Sequence, residues 1–185
     1  KKKLSPVELM TAVIDRAEAT KDKINAFTYT HYDEALALAK KAEARYAKGK
    51  KTGPLEGLPV AVKDESYIAG KPTSNASLIL KDFVAEKTSP NNQRIMAAGG
   101  IVHARTATPE FSCATYTWSR LWGVTRNPWN PKFTTGGSSG GSGAALAAGL
   151  APIATGSDIG GFIHLPGRGP RGVGHGVRGK LARGR

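Results

Sequence analysis

The chain has 185 residues, enough to bury a core as one domain or as a piece of a larger one. Its net charge of +13 points first to a nucleic acid or a membrane surface. However, six Lys or Arg between Gly167 and Arg185, together with Lys1 to Lys3, put nine of those charges at the two ends, and no aromatic residues interleave with them, so a nucleic acid is not the expected partner of the body of the chain.

Along the chain, the opening "KKKLSPVELM" lacks the apolar core of a signal peptide. Ser5, Pro6 and Glu8 make an N-cap, N1 and N3 signature, and Val7, Leu9, Met10, Val13, Ile14 and Ala17 follow at helical spacing. These residues predict an amphipathic helix from about Pro6 to Thr20. "INAFTYTH" alternates and carries β-branched and aromatic residues, so it predicts a short strand. Asp33 is expected to cap a second helix, "EALALAKKAEARYAKG", closed by Gly49 and presenting its lysines to solvent.

In "GPLEGLPVAVKDES", Gly-Leu-Pro leads into the apolar run Val60-Ala61-Val62, a buried strand with Lys63 and Asp64 at its end. A lysine emerging from such a strand is either a partly desolvated base or a surface residue paired with Asp64 or Glu65, and this segment alone favours the surface reading. Ser89-Pro90 opens a helix through Met96 and Ala98 that Gly99-Gly100 stops, and "IVHARTATPEF" continues as strand, then loop. The single Cys113 cannot form an internal disulfide, which fits a reducing compartment, and it reads as an inert buried thiol. Helices alternating with strands indicate an α/β fold.

Asn-Pro-Trp-Asn-Pro forces an extended, turn-rich approach to "GGSSGGSGAALAAGL". There Ser138 and Ser139 place two hydroxyls on a backbone unscreened by side chains, with a small-residue helix behind it. "GAALAAGLAPIATG" is too short and too rich in small residues to span a bilayer, so a soluble, cytoplasmic protein is expected. The four histidines, His31, His103, His164 and His175, lack ligand spacing, and the Gly/Ser loop lacks the lysine of a phosphate loop. Neither a metal nor a cofactor is expected.

The blocks "GLPVAVKD", "ARTATPEF", "NPWNP", "GGSSGGSGAALAAG" and "GSDIGG", in this order between Gly57 and Gly161, resemble the amidase signature family of serine hydrolases. Lys63 precedes Ser138 by 75 residues, and Ser138 precedes position 162 by 24, separations similar to the family's. The resemblance implies a mixed β-sheet wrapped by helices and a Ser-cisSer-Lys triad acting on a small amide through an acyl-enzyme. In that scheme Lys63 is the neutral base, and Ser138, after a cis peptide bond, relays the proton. Backbone N–H groups of Ile159, Gly160, Gly161 and residue 162 form the oxyanion hole, and Ser139 and Asp158 support the loop.

Against that pattern, Phe162 stands where the nucleophilic serine belongs, and His164 replaces an arginine. A benzyl group offers no nucleophilic atom, so the chain is expected to be an inactive member of a family that hydrolyses carboxylic acid amides. His164 without a neighbouring serine or cysteine reads as structural. The alternatives are a binding-only pseudoenzyme and a weak nucleic-acid contact through the basic tail. The family's domains are more than twice this length, so residues 1–166 are expected to be an N-terminal part of one. Residues 167–185, rich in Gly and Arg, read as a disordered or out-of-frame tail. Strands without their neighbours favour self-association, which leaves a homo-oligomer open.

Overall fold

The computed structural model describes residues 4–158. Helix α1 spans Pro6–Ile24 and starts with the expected capping box: Glu8 N–H donates to Ser5 Oγ at 3.1 Å, and Ser5 N–H donates to Glu8 Oε2 at 2.8 Å. It runs one turn beyond the predicted end. Lys21, Asp22 and Lys23 interrupt the apolar pattern only because they are exposed, and Ile24 is buried after them. Asn25, in the left-handed region at φ 52°, closes the helix. Strand β1 is Phe27–Thr30, within the segment predicted for it.

Helix α2, Tyr32–Ala47, corrects one expectation. Asp33 is not its cap; His31 holds that position without a side-chain cap bond, and Asp33 lies in the first turn, where its charge suits the helix dipole. Lys40 and Lys41 are exposed, and Gly49 takes a positive φ just past the helix end, as the sequence suggested.

Strand β2, Pro59–Lys63, is buried along its whole length. Helix α3, Pro90–Ala97, ends before Gly99, and strand β3, Ile101–Thr106, follows. A single helical turn at Glu110–Ser112 leads to a small hairpin, β4 (Trp118–Ser119) with β5 (Gly123–Val124). Cys113 is exposed at the end of that turn, so the buried-thiol expectation is overturned. Helix α4, Gly140–Ala147, and strand β6, Ile153–Ala154, complete the described residues.

The main sheet has the order β1-β3-β2-β6. β2 is parallel to both β3 and β6, and β1 is antiparallel to β3, so the sheet is mixed, as expected for an α/β chain. Because β2 has partners on both sides, its polar backbone is satisfied while its side chains stay dry.

Three apolar clusters hold the helices to this sheet. Met10 and Val13 of α1 pack on Ala35 and Ala39 of α2 and on Ile101. Ala17 and Ile24 meet Ala144, Ala145 and Ala148 of α4, where small side chains allow close approach. Val60 and Val62 pack with Ile68 and Ile95. His103, fully buried, contacts the carbonyls of Val60 and Leu150 through its two ring nitrogens and so ties β2 to the segment after α4. No helix among the described residues is long and apolar enough to cross a membrane.

Met10 is fully buried where α1, α2 and β3 meet. Met10→Ala is expected to lower the unfolding free energy by about 2–4 kcal/mol, through lost transfer energy and the cavity left behind. Urea denaturation checks this, and a loss below about 1 kcal/mol would mean that the cluster is not a packed core.

Candidate functional site

The parallel strands β2, β3 and β6 end on the same side of the sheet, the side where an open α/β sheet places its ligands. Lys63 is the last residue of β2 and is 1% exposed, so the surface reading of this lysine is overturned. Its backbone is fixed from two directions. Lys63 N–H donates to Thr155 Oγ1 at 2.9 Å, and Arg105 Nη2 donates to the Lys63 carbonyl at 3.2 Å.

The Lys63 side chain reaches into the Gly/Ser loop. Its Nζ donates to Ser138 Oγ at 2.8 Å and to Ser157 Oγ at 2.8 Å, and it lies 3.0 Å from Glu65 Oε2. Burial pulls Lys63 below the ordinary lysine value, and the Glu65 carboxylate opposes that pull. Burial pushes Glu65 up, but hydrogen bonds from Ser112 and Ser157 and the charge of Lys63 outweigh it and hold the carboxyl below its usual range.

Ser138 is buried, and the peptide bond between Gly137 and Ser138 is cis. Ser139 follows at the start of α4. Its Oγ accepts from Ser157 N–H at 3.2 Å and donates to the Ser157 carbonyl at 3.3 Å, a two-way clasp between the loop and the segment after β6. Ser142 Oγ donates to the Thr155 carbonyl at 2.7 Å and also bonds Thr106 Oγ1. Gly141 lies so close to the end of β3 that an added Cβ would run into the Ala107 backbone, and Gly141 N–H donates to the Ala107 carbonyl at 3.1 Å. The glycines thus let the loop sit directly on the strand ends.

A second cluster, with Asp64, Ser74 and Arg105 fully buried and Trp122 half-buried, supports Lys63 from below. Ser74 Oγ donates to Asp64 Oδ2 at 2.6 Å, Trp122 Nε1 donates to Ser74 Oγ at 2.9 Å, and Arg105 Nη2 stands 3.6 Å from Asp64 Oδ1. Burial pushes the Asp64 carboxyl up to about 6, against the Ser74 hydrogen bond and the Arg105 charge.

Of the residues singled out in the sequence, Lys63, Ser138 and Ser139 converge, and Asp158 is exposed in the segment after β6, next to Ser157. Ile159, Gly160, Gly161, Phe162 and His164 lie outside the described residues, as does the tail from 167 to 185. Ser157, Thr155 and Arg105 were not anticipated as members of the site. Arg105 carried a signal, a charged residue inside strand text, which when buried must anchor carbonyls or a carboxylate. Ser157 lay within "GSDIGG", but nothing local marks which hydroxyl a lysine 94 residues away will meet. Among the described residues no three His, Cys, Asp or Glu side chains are grouped to hold a metal ion.

A protein-family model described as Amidase matches residues 8–168. An indoleacetamide hydrolase of Bradyrhizobium diazoefficiens is 41% identical over 163 residues, which cover 88% of this chain and 31% of that protein. A glutamyl-tRNA(Gln) amidotransferase subunit from Natranaerobius thermophilus is 41% identical over 162 residues, 88% of this chain and 33% of that one. Among solved structures, a bacterial aryl acylamidase of the amidase signature family superposes with a TM-score of 0.82, at 34% identity over 90% of this chain and 35% of that chain. The chain therefore spans about a third of the length of the curated relatives it matches.

Asp64 supplies a test of the buried cluster. Its carboxyl holds a proton more tightly in the folded chain than in the unfolded one, so its contribution to stability is complete below about pH 4 and is lost as pH rises through about 6. The change amounts to at most about 3 kcal/mol. Subtracting urea-unfolding free energies of Asp64→Asn from those of the unmodified chain at pH 4, 5, 6 and 7 is expected to isolate this decline, and parallel curves would contradict it.

Proposed function

The chain belongs to the amidase family, and from that premise we propose that it carries the base and relay of a carboxylic acid amide hydrolase but does not itself turn over an amide. The observation that carries this reading is the 2.8 Å contact between Lys63 Nζ and Ser138 Oγ, made in a buried site at the open end of the parallel strands. Lys63 takes the role of base and Ser138 that of proton relay. Ser139 and Asp158 support the loop, and backbone N–H groups of Ile159, Gly160 and Gly161 are assigned to the oxyanion hole.

Phe162 occupies the nucleophile position in this scheme. In the complete reaction, the serine hydroxyl proton passes by way of Ser138 to Lys63 as the serine oxygen bonds to the amide carbon. The amine leaves with a proton returned from Lys63, and water then releases the acid. With no oxygen at position 162 the first of these bonds cannot form there. Retention of an amide without cleavage is the second reading, supported by the hydroxyl-lined loop that remains around Lys63. The substrate class follows the relatives: a small amide, such as the indoleacetamide named for the Bradyrhizobium protein. Residues 1–166 are read as part of one such domain, and the tail after them as separate from it.

The test is release of the amine from a small aryl amide by the chain and by its Lys63→Ala variant. Neither is expected to exceed the buffer rate. Turnover by the unmodified chain that disappears in Lys63→Ala would overturn the inactivity.

A further inference from the structure

A base must present a lone pair to the hydroxyl whose proton it takes, and a carboxylate 3.0 Å from Lys63 Nζ disfavours the neutral amine that carries one. A lysine ammonium has three donors and no acceptor, whereas the neutral amine has two donors and one lone pair. Lys63 Nζ faces three oxygens at bonding distance: Ser138 Oγ and Ser157 Oγ at 2.8 Å and Glu65 Oε2 at 3.0 Å. One of the three is a carboxylate oxygen, which accepts only. The two hydroxyls can donate or accept, so the contacts accommodate either form of the amine, and the adjacent carboxylate charge is what selects the ammonium.

Glu65 is itself held as an anion. Ser112 Oγ donates to Glu65 Oε2 at 2.6 Å, the Ser157 hydroxyl also bonds the carboxylate, and its side chain is only 22% exposed. Among the described residues, three further charged groups of this region have partners other than Nζ. Asp64 turns to Ser74 and Arg105, Arg105 reaches the Lys63 carbonyl and not Nζ, and Glu110 accepts from Ser77. Burial alone would drive Lys63 towards the neutral amine, and Glu65 is the group that opposes it.

We propose that Glu65 is a positioning residue that fixes Lys63 as an ammonium near neutral pH, so that a closed ion pair occupies the place where a proton acceptor is needed. This rests on the reading of Lys63 as the family's base. It adds a block independent of Phe162: a proton relayed by Ser138 would reach a lysine that is already protonated.

The experiment is an NMR titration of the full chain carrying 13Cε-labelled lysine, with the Lys63 signal identified by its loss in Lys63→Arg. In the unmodified chain Lys63 is expected to stay protonated through pH 8. In Glu65→Gln its midpoint is expected to fall by about two units, a loss of proton affinity of about a hundredfold, and Glu65→Asp should recover part of it. A neutral Lys63 at pH 7 in the unmodified chain, or a midpoint unmoved by Glu65→Gln, would overturn the proposal. Should Glu65→Gln fail to fold, the titration of the unmodified chain decides alone. Amide turnover is read separately, so its appearance would count against the inactivity and the Lys63 midpoint against the Glu65 pair.

Discussion

Placing the amine of Lys63 at the dry end of β2 is the constraint around which the described residues are arranged. A lysine that is 1% exposed must give its amine hydrogen-bond partners, because a buried, unpaired ammonium is far too costly. The partners arrive from distant parts of the chain: Glu65 two residues on, Ser138 from the Gly/Ser loop and Ser157 from the segment after β6. One side chain therefore ties two late segments to the sheet. Those segments also clasp each other through Ser139 and Ser157.

The sheet beneath makes this placement possible. β2 is flanked on both edges, so its backbone is bonded while Val60 and Val62 pack in a dry cluster. Arg105 extends the same principle one layer down. It is fully buried, it reaches the Lys63 and Ser66 carbonyls, and it stands by Asp64, so the turn after β2 is held by charge-assisted contacts and not by apolar packing alone. The alanines of α4 pack against α1, and Gly141 lets the Gly/Ser loop settle on the end of β3.

Much of the fold was legible because its signals are local. The Ser5-Glu8 capping box, the apolar run at Val60 to Val62 and the Gly49 and Gly99 stops each act within a few residues, and each lies where it was predicted. The errors came where tertiary context decides. The last turn of α1 looks polar in sequence but buries Ile24, Cys113 is apolar by type but lies on an exposed turn, and Asp33 sits inside the first turn of α2 and not before it. In the site, Lys63 and Ser138 could be paired only through the family resemblance. Their contact spans 75 residues, and residue types alone do not say which of several serines in a Gly/Ser run will face the lysine. The roles of Glu65 and Arg105 depend on burial, which no short stretch of sequence states.

Two features of the chain thus act in the same direction. The lysine bonds the loop hydroxyls and pairs with Glu65, while position 162 carries phenylalanine. The most direct test of this combination is to treat the chain with a fluorophosphonate probe at neutral pH and measure its intact mass. The account predicts an unchanged mass, because Phe162 offers no oxygen and Lys63 is proposed to stand as an ammonium beside Glu65. A stoichiometric adduct mapped to Ser138, Ser157 or any other side chain of the loop would contradict it.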